Sequence, residues 1–142
     1  MIHRAAILGD GGMGTLSALL LSANGIPARM WSAFDEHVAD MTRTGTNERF
    51  LPGFRLPENL VISTDAAEVT DGADLVVVAV PSTYLRAVLE RVRDHLPEGP
   101  VYCSVVKGIE SERLLRPSEV LDEVAGPRRT VVLSGPCLAR EV

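Results

Sequence analysis

The sequence predicts a doubly wound α/β fold with a parallel sheet. Three observations carry that prediction. Short apolar runs of strand length alternate with amphipathic stretches of helix length along all 142 residues. The first apolar run, Ala5-Ala6-Ile7-Leu8, passes directly into a glycine turn and then an apolar helix. The later strands end in glycine, proline, serine or lysine, which places the polar and conformationally special residues together at the carboxyl edge of the sheet.

Each element has its own signal. Strand one is expected at Arg4–Leu8 and its helix at Met13–Ala23, closed by Asn24-Gly25. Strand two is expected at Ala28–Ser32, followed by a helix from Asp35 to Arg43. The polar, proline-bearing stretch Thr44–Pro57 reads as a loop with room for one helical turn. A short strand follows at Leu60–Ser63, and Asp65-x-x-Glu68 forms a capping pair for a short helix. Asp74–Val80 is the clearest buried strand, stopped by Pro81. A helix over Thr83–His95 carries Leu85, Val88, Leu89 and Val92 on one face. Val101–Val106 is a strand, Pro117 opens a helix that ends at Gly126, and Thr130–Leu133 is the last strand. Trp31 and the stripe Leu16, Leu19, Leu20 read as core, and Arg86, Arg91 and Arg93 as a solvated helix face.

Composition bounds the function. Apolar content of 46% and charged content of 23% are ordinary for one globular domain, expected to fill residues 1–142. The net charge of −5 argues against general binding to nucleic acid or to an anionic membrane. A phosphate-bearing ligand is therefore held by helix N-termini and single cations. Cys103 and Cys137 are far apart and lack metal-site spacing, so both read as reduced thiols. The N-terminus has no signal-peptide shape, and the longest apolar run, Leu75–Val80, is too short to span a bilayer. A cytoplasmic location is expected.

The glycine turn is the strongest functional signal. Gly9, Gly11 and Gly14 fit G-x-G-x-x-G between a strand and a helix, the context in which that spacing cradles a dinucleotide pyrophosphate. The helix N-terminus adds free N–H groups and a partial positive charge. Lys107 closes a buried strand and precedes Gly108, so its ammonium is expected in the crevice, on a phosphate or a carbonyl oxygen. Gly135-Pro136-Cys137 is read two ways, as an anion-binding helix start or as an ordinary turn. The acid that grips the adenosine ribose is expected about 20 residues past the glycines. Ser32-Ala33-Phe34 stands there instead, and Asp35 and Glu36 read as caps of the next helix. The choice between NAD and NADP stays open. His3, His37 and His95 share no metal or triad spacing and read as surface residues.

Taken in order, these segments resemble the bacterial-type NAD(P)-dependent glycerol-3-phosphate dehydrogenases along almost the whole chain. The glycine turn is similar to that family's cofactor loop. Asn47-Glu48-Arg49-Phe50-Leu51-Pro52-Gly53 with Leu56-Pro57-Glu58-Asn59-Leu60 resembles its long loop. Val78-Ala79-Val80-Pro81-Ser82 with Leu85-Arg86-Ala87-Val88-Leu89 resembles its fourth-strand signature. Lys107-Gly108-Ile109-Glu110 and Leu133 to Val142 resemble its last two signatures before the second domain.

The resemblance implies a Rossmann-type domain holding NAD or NADP. It places Gly9, Gly11, Gly12, Met13, Gly14, Ala33, Phe50, Pro81, Lys107 and Ala139 at the cofactor, and Lys107, Gly135 and Cys137 at the substrate. It implies reversible hydride transfer between NAD(P)H and dihydroxyacetone phosphate, giving sn-glycerol 3-phosphate for phospholipid synthesis, and allows a homodimer of the full-length enzyme. No catalytic residue is assigned within the chain, since the family's general acid/base lysine is expected beyond Val142, in a helical substrate domain. The chain therefore reads as the cofactor domain of a longer enzyme, with a non-catalytic dinucleotide-binding module as the alternative. Three positions depart from the family: Met13 replaces an aromatic residue, Ala33 a basic one, and Cys137 a Ser or Thr.

Overall fold

The computed structural model describes residues 1–135 and 138–141. Its main sheet has six parallel strands in the order β5-β2-β1-β6-β7-β8, with β1 Ala5–Leu8, β2 Ala28–Trp31, β5 Val61–Ser63, β6 Leu75–Val78, β7 Val101–Ser104 and β8 Arg129–Val132. The order reverses at β1, because the chain runs outward through β2 to β5 and then returns to start β6 on the other side of β1. That reversal opens the crevice above the carboxyl ends of β1 and β6. The crossovers are α1 Gly12–Ala23, α2 Asp35–Thr44, α3 Ala66–Thr70, α4 Ser82–Val92 and α5 Pro117–Ala125.

Alternation along the central strands builds two cores. Ala5, Ile7, Met30 and Val77 face one way and pack with Ala18 of α1. Ala6, Leu8, Trp31, Val76 and Val78 face the other way, under Val69 of α3, Leu85 and Leu89 of α4, and Val120 and Leu121 of α5. Burial on both sides is why β1 and β6 are continuous apolar runs. The face beside β7 and β8 is less covered, with Val131 and Leu133 more than half exposed.

Several expectations are corrected. Thr44–Pro57 is not a loop with a helical turn but an antiparallel hairpin, β3 Thr46–Asn47 with β4 Leu51–Arg55. Proline and glycine in β4 hide its strand character, and tertiary anchoring by buried Leu51 and Asn47 overrides local propensity. The helix expected to reach His95 ends at Val92 and tightens into a 3₁₀ turn over Arg93–His95. Asp65 caps α3 by accepting from the N–H groups of Ala67 and Glu68, while its own N–H donates to Ser63 rather than to Glu68. Trp31 is buried as expected and donates Nε1–H to the Thr64 carbonyl at 2.9 Å.

The leucine stripe is core only in part. Leu16 is buried, but Leu20 is 45% exposed, because α1 packs on β1 and β2 with its other side. The arginines are not one solvated face. Arg86 donates to both Glu110 and Glu123, and Arg91 lies 5.3 Å over the Trp31 ring. Only Arg93 is a plain surface charge, beside Asp94. No described helix is long and apolar enough to cross a membrane.

Candidate functional site

The β1–α1 turn is built by close packing on three sides and open space on the fourth. Gly9 has φ +113°, and a Cβ there would stand 2.7 Å from the Ala79 carbonyl oxygen at the end of β6. A Cβ on Gly14 would collide with the Gly9 carbonyl. Both positions are closed to any side chain. Gly11 is different, since a Cβ there would meet nothing within 4 Å. Packing therefore does not explain Gly11; an open approach to the backbone does. Gly11 is also the N-cap of α1, with no side-chain cap and no acid in the first turn. The unpaired N–H groups of that turn and the helix dipole are left for an anion. This cradle fits a pyrophosphate.

The hairpin locks the turn from outside. Asn47 Nδ2, buried, donates to the Asp10 carbonyl at 2.7 Å and to Thr15 Oγ1 at 2.8 Å. Thr15 Oγ1 donates in turn to the Gly11 carbonyl. Two carbonyl oxygens of the turn are thus taken up by the protein. A Cβ on Gly12 would lie 3.1 Å from the Phe50 carbonyl and 3.5 Å from the Ala139 side chain. Sequence positions 12, 50 and 139 thus meet at one point.

A groove runs from α1 to the ends of β7 and β8, lined by Met13, Leu16, Lys107, Leu133 and Gly135. Lys107 and Gly135 also border a wider depression with Gly108, Ser118 and Ser134. Lys107 is exposed and lines both. Pro81 is the N-cap of α4, above the β6 exit. Ala33 is half-buried beside Trp31, with its carbonyl accepting from Arg91. Cys137 lies outside the described residues. Cys103 carries a free thiol, pushed up in pKa by burial. Among the described residues, no group of three or more His, Cys, Asp and Glu side chains is placed to hold a metal.

Sequence reasoning missed one cluster. Arg49 Nη1 donates to His37 Nε2 at 2.7 Å; His37 Nδ1–H therefore donates to Asp10 Oδ2, at 2.6 Å. Ser32 Oγ donates to the same oxygen at 2.9 Å. Phe34 and Phe50 flank the imidazole at centroid distances of 4.8 and 5.9 Å. His37 is thus not a surface residue, its side chain being 11% exposed. The four polar residues come from four places, the glycine turn, the end of β2, α2 and the tip of the hairpin. The only clue in the sequence was a carboxylate inside the glycine motif.

A six-stranded parallel sheet with this strand order and a glycine turn at its point of reversal defines a Rossmann-type α/β domain. The family model described as NAD-dependent glycerol-3-phosphate dehydrogenase N-terminus matches residues 4–142. The chain belongs to that family. Glycerol-3-phosphate dehydrogenase [NAD(P)+] of Syntrophomonas wolfei is 40% identical over 142 residues, covering 98% of this chain and 41% of that protein. The enzyme of the same name from Streptomyces coelicolor is 41% identical over 141 residues, covering 98% and 42%. The crystal structure of glycerol-3-phosphate dehydrogenase from Coxiella burnetii superimposes with a TM-score of 0.89 at 32% identity, over 98% of this chain and 42% of that one. The chain thus spans about two fifths of the length of the relatives it matches.

Proposed function

We propose that residues 1–142 form the dinucleotide-binding domain of an NAD(P)-dependent glycerol-3-phosphate dehydrogenase. The observation that carries this reading is Gly11, open to solvent in a turn whose other two motif glycines are closed by packing. Gly9, Gly11, Gly12, Met13 and Gly14 hold the pyrophosphate against the N-terminus of α1. Phe50 and Ala139 wall that position, Ala33 lies toward the adenosine end, and Pro81 borders the crevice from β6. Lys107 serves cofactor and substrate alike, a role supported by its place in the lining of both depressions at the β7 exit. Gly135 and Cys137 contact the phosphate-bearing substrate.

The nicotinamide, when bound, supplies the hydride for reduction of dihydroxyacetone phosphate to sn-glycerol 3-phosphate, a precursor of glycerophospholipids in the cytoplasm. This chain's residues bind and orient; Lys107 balances substrate charge and polarises its oxygen. Proton transfer belongs to a lysine of the substrate domain. The test is a titration of the purified chain with NADH and NADPH, followed by quenching of Trp31, its one tryptophan. Saturable binding without oxidation of NADH on adding dihydroxyacetone phosphate is expected. Failure to bind either cofactor overturns the reading, and steady turnover by the chain overturns this division of roles.

A further inference from the structure

We propose that Asp10 supplies the carboxylate that takes the 2′-hydroxyl of the adenosine ribose, and thereby selects NAD(H) over NADP(H). The inference rests on the dinucleotide reading above. In folds of this kind the ribose acid stands at the carboxyl end of the second strand, where it binds a free 2′-hydroxyl and opposes a 2′-phosphate. Here that end carries Ser32-Ala33-Phe34. The acids that follow are not suited to replace it. Asp35 accepts from Thr64 Oγ1 at 2.7 Å, and the Glu36 side chain is 79% exposed.

The structure brings a carboxylate to the same place from another element. Ser32, fully buried at the end of β2, donates its hydroxyl to Asp10 Oδ2. Asp10 belongs to the glycine turn, so its carboxylate lies between the pyrophosphate cradle and the strand end. Ser32 and His37 both hold Oδ2, and among the described residues Oδ1 accepts no hydrogen bond. The side chain is 13% exposed, and Asn47 fixes its backbone carbonyl. It is a preset acceptor with one oxygen to spare.

The cation of this cluster does not reverse this preference. Arg49 is engaged on the far nitrogen of His37 and stacks 5.4 Å over Phe50, so the imidazole separates it from Asp10. A 2′-phosphate would therefore meet a carboxylate before it met a guanidinium, and like charges repel.

Dissociation constants for NADH, NADPH and 2′-deoxy-NADH test this in the unaltered protein and in Asp10→Asn. The unaltered protein should bind NADH roughly tenfold or more tighter than 2′-deoxy-NADH, the value of one hydrogen bond to a charged group. It should bind NADPH more weakly than NADH. Asp10→Asn, which keeps the shape and an acceptor for Ser32, should bind NADPH more tightly than the unaltered protein does, a gain that damage to the fold cannot produce. Equal affinity for NADH and its 2′-deoxy form, or tighter binding of NADPH by the unaltered protein, overturns the proposal while leaving the dinucleotide reading intact. Binding of no dinucleotide overturns both.

Discussion

Asn47 Nδ2 and Thr15 Oγ1 form a buried hydrogen bond of 2.8 Å between the hairpin and the first turn of α1. The same amide donates to the Asp10 carbonyl, so one side chain ties β3 to both arms of the glycine turn. Asn47→Ala removes the donor and leaves the Asp10 carbonyl without it. The expected loss of stability is about 1–3 kcal/mol, read from denaturant midpoints. Affinity for NADH should fall in the same variant, because the turn is no longer held. Unchanged stability would show that the hairpin only rests on the turn.

Gly11 and Gly14 should respond in opposite ways to the same added methyl group. Gly14→Ala drives a Cβ into the Gly9 carbonyl, and overpacking of this kind costs on the order of 1–3 kcal/mol or more. Gly11→Ala meets open space, so its melting midpoint without ligand should match the unaltered chain. Its affinity for NADH should nevertheless fall, because the methyl group occupies the path of the pyrophosphate. Thermal melts with and without NADH separate the two.

Acid should loosen the α4–α5 side first. Arg116, through its side chain and then its backbone N–H, holds Glu119 at about 2, below the ordinary 4.5. Arg86 lowers Glu110 in the same sense, and Arg113, then Arg86, lowers Glu123. The folded state therefore binds fewer protons than the unfolded chain in this range. The stability from the Glu119 pair is present above the ordinary 4.5 and is lost as pH falls toward about 2, and that from Glu110 and Glu123 is lost in the same direction, below the ordinary carboxylate range. Melting midpoints should decline across that window, and Glu119→Gln should decline less steeply. A midpoint that rose on acidification would contradict the assignment.

Trp31→Phe keeps an aromatic ring in the core but leaves the Thr64 carbonyl without its indole donor. A loss of about 1–3 kcal/mol is expected, from the unpaired acceptor and the smaller ring. Arg91, stacked on the same ring, makes the weaker contribution. Its replacement by Met, which keeps apolar contact, should cost about 1 kcal/mol or less. Urea unfolding of both variants gives the comparison.

The sheet was legible in the sequence because its central strands β1 and β6 are buried on both faces and its strands end in glycine, proline or serine punctuation. Gly9, Gly11 and Gly14 could be read because a strand preceded them and a helix followed. The hairpin was not, since Pro52 and Gly53 carry no strand propensity and Asn47 acts through a tertiary bond. The Asp10–His37–Arg49 cluster was invisible for a related reason. Its members are joined only by folding, and a lone histidine beside two acids looks like a helix surface. Arg86 was misread in the same way, because its partners Glu110 and Glu123 come from a later loop and from α5.

The most direct measurement of the central claim is the thermal melt of the purified chain across a series of NADH concentrations, beside Gly11→Ala. A ligand that binds only the folded state raises the midpoint as its concentration grows. The account predicts such a rise for the unaltered chain and a much smaller one for Gly11→Ala, from the same starting midpoint. A midpoint that NADH and NADPH leave unmoved, or one that rises equally in both proteins, would contradict the assignment of the β1–α1 turn as the dinucleotide cradle.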